Sequence, residues 1–416
     1  MRLLHVADVH LGYQQYNSSD RFNDFGYAFE CAVSYGVEQK VDAILIAGDL
    51  FHKAAVEPWA YIQAVDVLSI AREAQIPVIA VEGNHDQARY RAQISWLTVL
   101  AHEGYLILLR PKLEQETVTL QTWDGEEGSY VDLGNVRIVG VPWLGASAAF
   151  WLPRLAEAIE GLPRTENGCT MLLTHAGIEG EMPNISGCWT HTQIAPLRAS
   201  VDYVALGHMH KPFEREGWLF NPGSLETCAM EERKWERGMY DVTVGPEGSF
   251  AARHIKASPR PFFREMFFVG RYQAPTELYQ ALRERVRRQA PRWHEDGRKP
   301  VVEVYLEGTL PFDRVALDLD EMRRTVVEEV DPLVARVNPA GLQLPGLQLS
   351  EDEQLSPREL ERAVLREIVL NDSRYASHPE EWAEVMLDVK ERALKGDSPE
   401  SILGLIEAQL DAYGSG

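Results

Sequence analysis

The sequence predicts an α/β protein, and three observations carry that expectation. Apolar runs of strand length stand at residues 3–7, 43–47 and 78–81; helical patterns fill the intervals at 28–39 and 59–74; and Asp, Asn or His follows directly on each apolar run. Strand, helix, strand in repetition marks a sheet with right-handed crossovers and helices on its faces. Composition agrees with a folded chain, since 45% of the 416 residues are hydrophobic and 25% charged. The 63 acidic against 41 basic residues leave a net charge of −22, which excludes a generally basic protein that adheres to any nucleic acid. At about 150 residues per domain the length predicts two or three domains.

The elements follow in order. Further strands are expected at 136–141, 171–174, 201–206, 218–221 and 240–244, giving a first domain over 1–257. Lys256-Ala-Ser-Pro-Arg-Pro261 reads as a linker. A strand at 262–269, a helix at 276–289, a strand at 301–306 and a helix at 319–330 then form a small α+β module within 258–337. Residues 338–355, with Pro339, Gly341, Pro345 and Gly346, have turn composition and are expected to be a second linker.

Residues 356–416 read as helical. Ser356, Pro357 and Glu359 stand in the order of a capping box ahead of Leu360, Val364, Leu365 and Ile368. Trp382, Val385, Met386 and Val389 make a second apolar face, and Asp397-Ser-Pro-Glu400 opens a last helix carrying Ile402, Leu405, Ile406 and Leu410. These short stripes suit either a partner-docking element or a small self-packed bundle.

Cys31, Cys169, Cys188 and Cys228 lie far apart without CxxC spacing, so reduced thiols are expected rather than disulfides or a thiolate zinc site. Neither an export signal nor a membrane span is read, and the expected location is the cytoplasm. A Walker-type phosphate loop is absent from the sequence.

The chemistry gathers at the carboxyl ends of the expected strands, where open α/β sheets place their sites. There stand Asp8-Val-His10, Gly48-Asp49-Leu-Phe-His52, Gly83-Asn84-His85-Asp86, Thr174-His175 and Gly207-His208-Met-His210. His5, His102, His191, His254, His294 and His378 are read as structural or merely exposed. Five strand ends crowded with Asp and His concentrate polar groups that cations would satisfy. Mixed carboxylate, imidazole and amide donors suit Mn²⁺, Fe²⁺ or Zn²⁺ and are too rich in nitrogen for calcium. The donors suffice for two ions about 3.5 to 4 Å apart sharing a carboxylate, an arrangement whose natural output is phosphoester hydrolysis.

This series of motifs resembles the calcineurin-like metallophosphoesterases. Asp8-Val-His-Leu-Gly12, Gly48-Asp-Leu-Phe-His52, Gly207-His-Met-His-Lys-Pro212 and Asn221-Pro-Gly-Ser224 are similar, more narrowly, to the SbcD nucleases of DNA double-strand-break repair. The resemblance implies that Asp8, His10, Asp49 and His210 hold one ion and that Asp49, Asn84, His175 and His208 hold the other, with Asp49 as bridge. It implies that His85 faces the scissile phosphate and steadies or protonates the leaving oxygen. Asp86 would orient His85 or cap the following helix, and His52 would lie near the substrate or simply pack.

What the resemblance implies for the whole chain is a manganese-dependent DNA nuclease, cutting double strands from their ends and single strands or hairpins internally. Residues 258–337 would be a DNA-binding capping domain, and 356–416 would dock an SbcC-like ATPase. A homodimer through the nuclease domain is also implied, with Trp59, Tyr61 and Trp96 as aromatic candidates. Arg283, Arg285, Arg287, Arg288 and Arg292 are either a DNA-backbone patch or a solvated helix face. Two other classes fit part of the pattern: a phosphoesterase for small diesters or monoesters, and a scaffold that tethers DNA ends.

Overall fold

The computed structural model describes residues 1–88, 94–163, 168–183, 185–343, 356–370, 375 and 377–413. They divide into two compact units, Met1–Arg260 and Pro261–Gly416. In the first, β1 (Arg2–Val6), α1 (Ser19–Glu38), β2 (Ala43–Ala47), α2 (Pro58–Glu73) and β3 (Val78–Val81) alternate as expected, and a short β4 (Ile107–Leu108) that was not expected follows. After them come β5 (Tyr130–Leu133), β6 (Val136–Val141), α3 (Ala148–Glu160), β7 (Cys169–Thr174), β8 (Tyr203–Ala205), β9 (Phe213–Arg215), β10 (Leu219–Asn221), β11 (Gly238–Val244) and β12 (Phe250–Lys256).

Two six-stranded sheets result, ordered β12-β11-β1-β2-β3-β4 and β9-β10-β8-β7-β6-β5. Their inner strands are parallel: β1 to β2, β2 to β3, β6 to β7 and β7 to β8. Alternate residues of β2 show why its sequence is apolar throughout. Ala43, Leu45 and Ala47 pack toward Met171, Leu173 and Tyr203 of the other sheet, while Ile44 and Ile46 pack with Phe29, Ala64 and Leu68 of the covering helices. On the far side, Leu152 and Leu155 of α3 cover Val139, Leu172 and Val204. A strand buried on both faces carries no polar alternation. This helix, sheet, sheet, helix layering brings the carboxyl ends of β1, β2, β3, β7 and β8 to the loops that hold the polar motifs.

Helix α1 starts at Ser19, nine residues before the expected start at 28, because Ser18 accepts a hydrogen bond from the Arg21 amide and caps it. The expected linker at 256–261 is partly anchored. The Arg260 amide donates to Glu226 at 2.9 Å and its guanidinium pairs with Asp24, which extends the first unit to Arg260.

The second unit contains β13 (Phe262–Phe268), α4 (Pro275–Trp293), β14 (Val301–Thr309), α5 (Leu319–Val330) and β15 (Val334–Gln343), a parallel sheet ordered β13-β14-β15. Leu278, Leu282 and Val286 of α4 and Met322 and Val326 of α5 cover Val302, Val304 and Leu306. Residues 338–343, expected to open a linker, are instead the second half of β15. Pro339 fits there because it falls in a bulge, between Asn338 paired with Tyr305 and Gly341 paired with Glu307, on what is an edge strand among the described residues. The rest of that expected linker, 344–355, lies outside the described residues.

Three helices close the chain: α6 (Pro357–Leu370), α7 (Pro379–Lys395) and α8 (Pro399–Tyr413). Ser356 and Glu359 form the expected reciprocal cap. Trp382, Ala383 and Leu387 are buried, while Leu360, Ile368, Met386, Leu394, Leu403 and Leu410 stay exposed. Among the described residues no helix is long and apolar enough to cross a membrane.

Candidate metal centre

The seven expected ligands converge. Asp8 is fully buried, and both of its carboxylate oxygens accept from the His208 amide at 3.0 Å. His10 and His210 present their Nε2 atoms to each other at 3.0 Å, and His210 Nε2 lies 3.9 Å from Asp8 Oδ1. Asp49 Oδ2 is 3.3 Å from His175 Nε2. Asn84 Oδ1 lies 3.1 Å from His175 Nε2 and 3.0 Å from His208 Nδ1.

Backbone shape lets so many donors meet. Asp8, His10, Asp49 and His208 all have left-handed backbones, with φ of +52°, +55°, +52° and +84°. Side chains seldom adopt that region, and it persists where surroundings over-determine it, commonly at functional sites. The glycines of the motifs serve the same end. A Cβ on Gly83 would come within 2.0 Å of Asp49 Oδ1, and one on Gly207 within 2.1 Å of the Ala47 carbonyl.

Three of the four imidazoles are aimed by their other nitrogen. His175 Nδ1 bonds the Ala47 carbonyl at 2.8 Å, His208 Nε2 the Ser186 carbonyl at 2.8 Å, and His210 Nδ1 the Glu232 carboxylate at 2.8 Å. A carbonyl only accepts, so the first two bonds place a proton on His175 Nδ1 and His208 Nε2 and turn the other nitrogen of each ring inward. Asn221 holds the loop bearing His208 and His210, its Nδ2 donating to the Met209 and Lys211 carbonyls at 2.5 and 2.9 Å.

The electrostatics pull in opposite directions. Burial pushes the Asp8 carboxyl up to about 6, even with His175 and His210 nearby. Burial opposes ionisation of Asp49 too, yet His175, His10 and His85 hold it well below the usual carboxylate range, and in return Asp49 lifts His175 to about 9. Burial drives His10 well down and His208 down to about 4. His10 Nδ1 is buried with no hydrogen-bond partner among the described residues. Neutral His10 and His208 beside a buried carboxylate pair, with the His10 and His210 ring nitrogens in contact, suit cations better than protons. Donor atoms of Asp8, Asp49 and His175, of His10, His52 and His85, and of His10, His210 and Cys228 form three groups within 4.8 Å that could hold a metal ion.

Beside these donors, His85 bonds the His52 carbonyl through Nδ1 at 2.6 Å and turns Nε2 toward Asp49 Oδ2, 4.0 Å away. Asp86 does not orient that ring as expected. Its carboxylate accepts from the amides of Leu50, Phe51 and Gly83 at 3.3, 3.0 and 2.9 Å, tying the loop after β2 to the loop after β3. Burial, then Asp49, raises its carboxyl to about 8. His52 lies against Tyr13, His10 and His85, adjoining the centre. Glu232, Cys228 and Trp143, whose ring lies 4.5 Å from that of His208, are site residues the sequence reading did not single out. They sit on loops without periodicity or motif.

The expected arginine patch is largely occupied. Arg283 pairs with Glu328 and Glu329, Arg287 with Glu329, and Arg285 with Glu265. Arg288 and Arg292 complete the stripe on α4. His5 is buried on the Tyr203 hydroxyl and the Leu206 carbonyl, a structural role.

A family model described as Calcineurin-like phosphoesterase matches residues 1–212, half of the chain. The chain belongs to the calcineurin-like phosphoesterases. It is thus a metal-dependent phosphoesterase, and the matched residues include all seven candidate ligands. Among curated relatives of this phosphoesterase, the DNA double-strand break repair protein Mre11 of Aeropyrum pernix is 28% identical over 331 residues, 75% of each chain. The protein of the same name from Archaeoglobus fulgidus is 32% identical over 241 residues, 56% of this chain and 52% of that one. A solved dimetal phosphatase from Danio rerio is 12% identical, covering 62% of this chain and 96% of that one with a TM-score of 0.39.

Proposed function

We propose that this phosphoesterase is a manganese-dependent DNA nuclease of double-strand-break repair, working as an exonuclease on duplex ends and an endonuclease on single strands and hairpins. The observation that carries the reading is the five-loop donor cluster with His85 held against it, in a chain whose relatives bear the name of a break-repair protein. Asp8, His10, Asp49 and His210 would hold one ion, and Asp49, Asn84, His175 and His208 the other. When bound, such ions supply a water acidic enough to attack phosphorus at neutral pH. Asp49, with donor atoms of Asp8 and His175 within 4.8 Å, would be shared between the two sets, and His85 Nε2 would meet charge on the departing oxygen.

The same reading gives the remaining surfaces their partners. Trp59 is 72% exposed and Trp96, with Tyr61 against it, is 36% exposed; they are the proposed homodimer face. The exposed leucines of α6 to α8 are the proposed dock for an SbcC-like ATPase, the second unit's sheet and helices contact DNA through Arg288 and Arg292, and the complex acts in the cytoplasm.

Cleavage of end-labelled duplex and single-stranded DNA by the purified chain tests the reading, with Mn²⁺, Mg²⁺ or chelator and alongside His85→Ala. Manganese-dependent loss of label that disappears in the variant is expected. Hydrolysis of a small chromogenic diester without DNA cleavage in any metal would instead establish a small-molecule phosphoesterase. Tight binding of ends with no strand loss would establish a tether.

A further inference from the structure

Next to the metal centre lies a cavity of about 390 Å³ with His52 in its wall. That volume falls within the roughly 300–1,000 Å³ of small-molecule sites. Tyr13, also in the wall, stacks on His52 with ring centroids 3.8 Å apart and planes 16° apart, and His52 is near-parallel to His85 at 5.4 Å and 23°. A ladder of three rings thus leads from the residue facing Asp49 to the cavity.

Among aliphatic residues, the remaining wall carries the rings of Tyr16 and Phe22, the amides of Gln14 and Asn17, the ammonium of Lys53 and one carboxylate, Glu57. Aromatic faces stack bases, amides read base edges, and a lysine neutralises phosphate. Two further observations describe the wall. His52 Nδ1 is buried without a hydrogen-bond partner among the described residues. Tyr16 and Asn17 are held at φ of +58° and +55°, a conformation that persists where the surroundings enforce it.

The enforcement is visible beneath the loop. Gln15, between Gln14 and Tyr16, is buried; its Oε1 accepts from Arg21 Nε at 2.8 Å and its Nε2 donates to the Cys228 carbonyl at 2.7 Å. Arg21 is itself fully buried and held by Asp24, Glu226 and the Thr227 carbonyl. The wall is therefore braced before any ligand arrives, which spares the ordering cost of binding.

We propose that this cavity binds a nucleoside 5′-phosphate unit of a DNA strand: the nucleotide neighbouring the scissile phosphate, unstacked from its strand and laid against Tyr13 and Tyr16. The assignment rests on the nuclease reading above and adds to it a subsite for the base.

The test is a fluorescence titration of the full chain, in chelator so that nothing is cut, with 2-aminopurine deoxyribonucleoside 5′-monophosphate and with a single-stranded oligonucleotide ending in 2-aminopurine. Saturable quenching of both probes is expected, weakened at least fivefold in Tyr16→Ala and in Lys53→Ala, with melting curves confirming that both variants fold. Equal affinity in the wild type and both variants overturns the proposal, as does displacement by inorganic phosphate as effective as by thymidine 5′-monophosphate. Quenching of the monophosphate alone overturns it in favour of a site for free nucleotide. A wild type that cuts DNA in Mn²⁺ while its variants bind the probes equally well loses only the subsite. A wild type that never cuts DNA loses the nuclease reading, whatever the probes report.

Discussion

His85 donates from Nδ1 to the main-chain carbonyl of His52 at 2.6 Å, and this single bond turns its Nε2 toward Asp49. Because a carbonyl can only accept, the proton on Nδ1 is fixed and Nε2 is the atom left for chemistry. His85→Ala is therefore expected to lower DNA cleavage at least 100-fold while Mn²⁺ affinity changes less than about threefold, the range of a general acid rather than a ligand. Parallel cleavage assays and calorimetric Mn²⁺ titrations check this. Cleavage at the wild-type rate would falsify the role given to His85.

Asp49 lies within 4.8 Å of donors from both sets, Asp8 and His175, while its Oδ1 accepts from the His85 amide. Asp49→Ala should abolish both Mn²⁺-binding events in calorimetry and with them the rise in melting temperature that ligand binding to the folded state produces. Retention of one full-affinity event would show that the carboxylate is not shared.

The candidate ligands were legible in the sequence because they follow closely on strands whose apolar runs are unmistakable. Strands at 43–47, 78–81 and 136–141 have the expected limits, since burial on two faces leaves no polar residue to blur them. Asp86 was visible as a candidate, but its task was not: a motif shows that a carboxylate is present, and only the fold shows it gathering the Leu50, Phe51 and Gly83 amides. β15 was hidden by Pro339 and Gly341, residues that usually end strands. The bulge on this edge strand admits the proline, and Gly341, where an added Cβ would lie 2.5 Å from the Tyr305 ring, leaves room for that side chain.

Glu232 lay beyond motif reading altogether, on a short turn rich in charge. It accepts from His210 Nδ1 while Arg237 donates to its other oxygen at 2.8 Å. Burial pushes this carboxylate up, but the His210 bond, with the charges of His210 and Arg237, outweighs it and holds Glu232 below its ordinary range, and the arrangement makes His210 a stronger donor. Glu232→Gln should weaken one of two Mn²⁺-binding events about 10- to 100-fold, the usual effect of losing such support, with cleavage recovered at higher Mn²⁺. An unchanged Mn²⁺ isotherm would remove Glu232 from the centre's design.

Asp241 offers a test of stability remote from the metal. On β11 its carboxylate accepts from Arg2 Nε at 2.9 Å, from the Tyr35 hydroxyl at 2.7 Å and from Arg253 at 3.3 Å. The Arg2 bonds, against the opposing effect of burial, hold its carboxyl down at about 2, below the value of about 3.9 for an unfolded aspartate. A folded value below the unfolded one means that the charged carboxylate stabilises the fold fully above pH 4. That contribution fades as pH falls toward 2, where the unfolded chain has already taken up the proton. Asp241→Asn should cost about 2 kcal/mol at pH 7, as expected for hydrogen bonds to a charged group, and progressively less between pH 4 and pH 2. Urea unfolding of both proteins at pH 7, 4 and 2.5 measures the gap. A separation as wide at pH 2.5 as at pH 7 would mean that packing at this position, not its charge, joins β1 to β11.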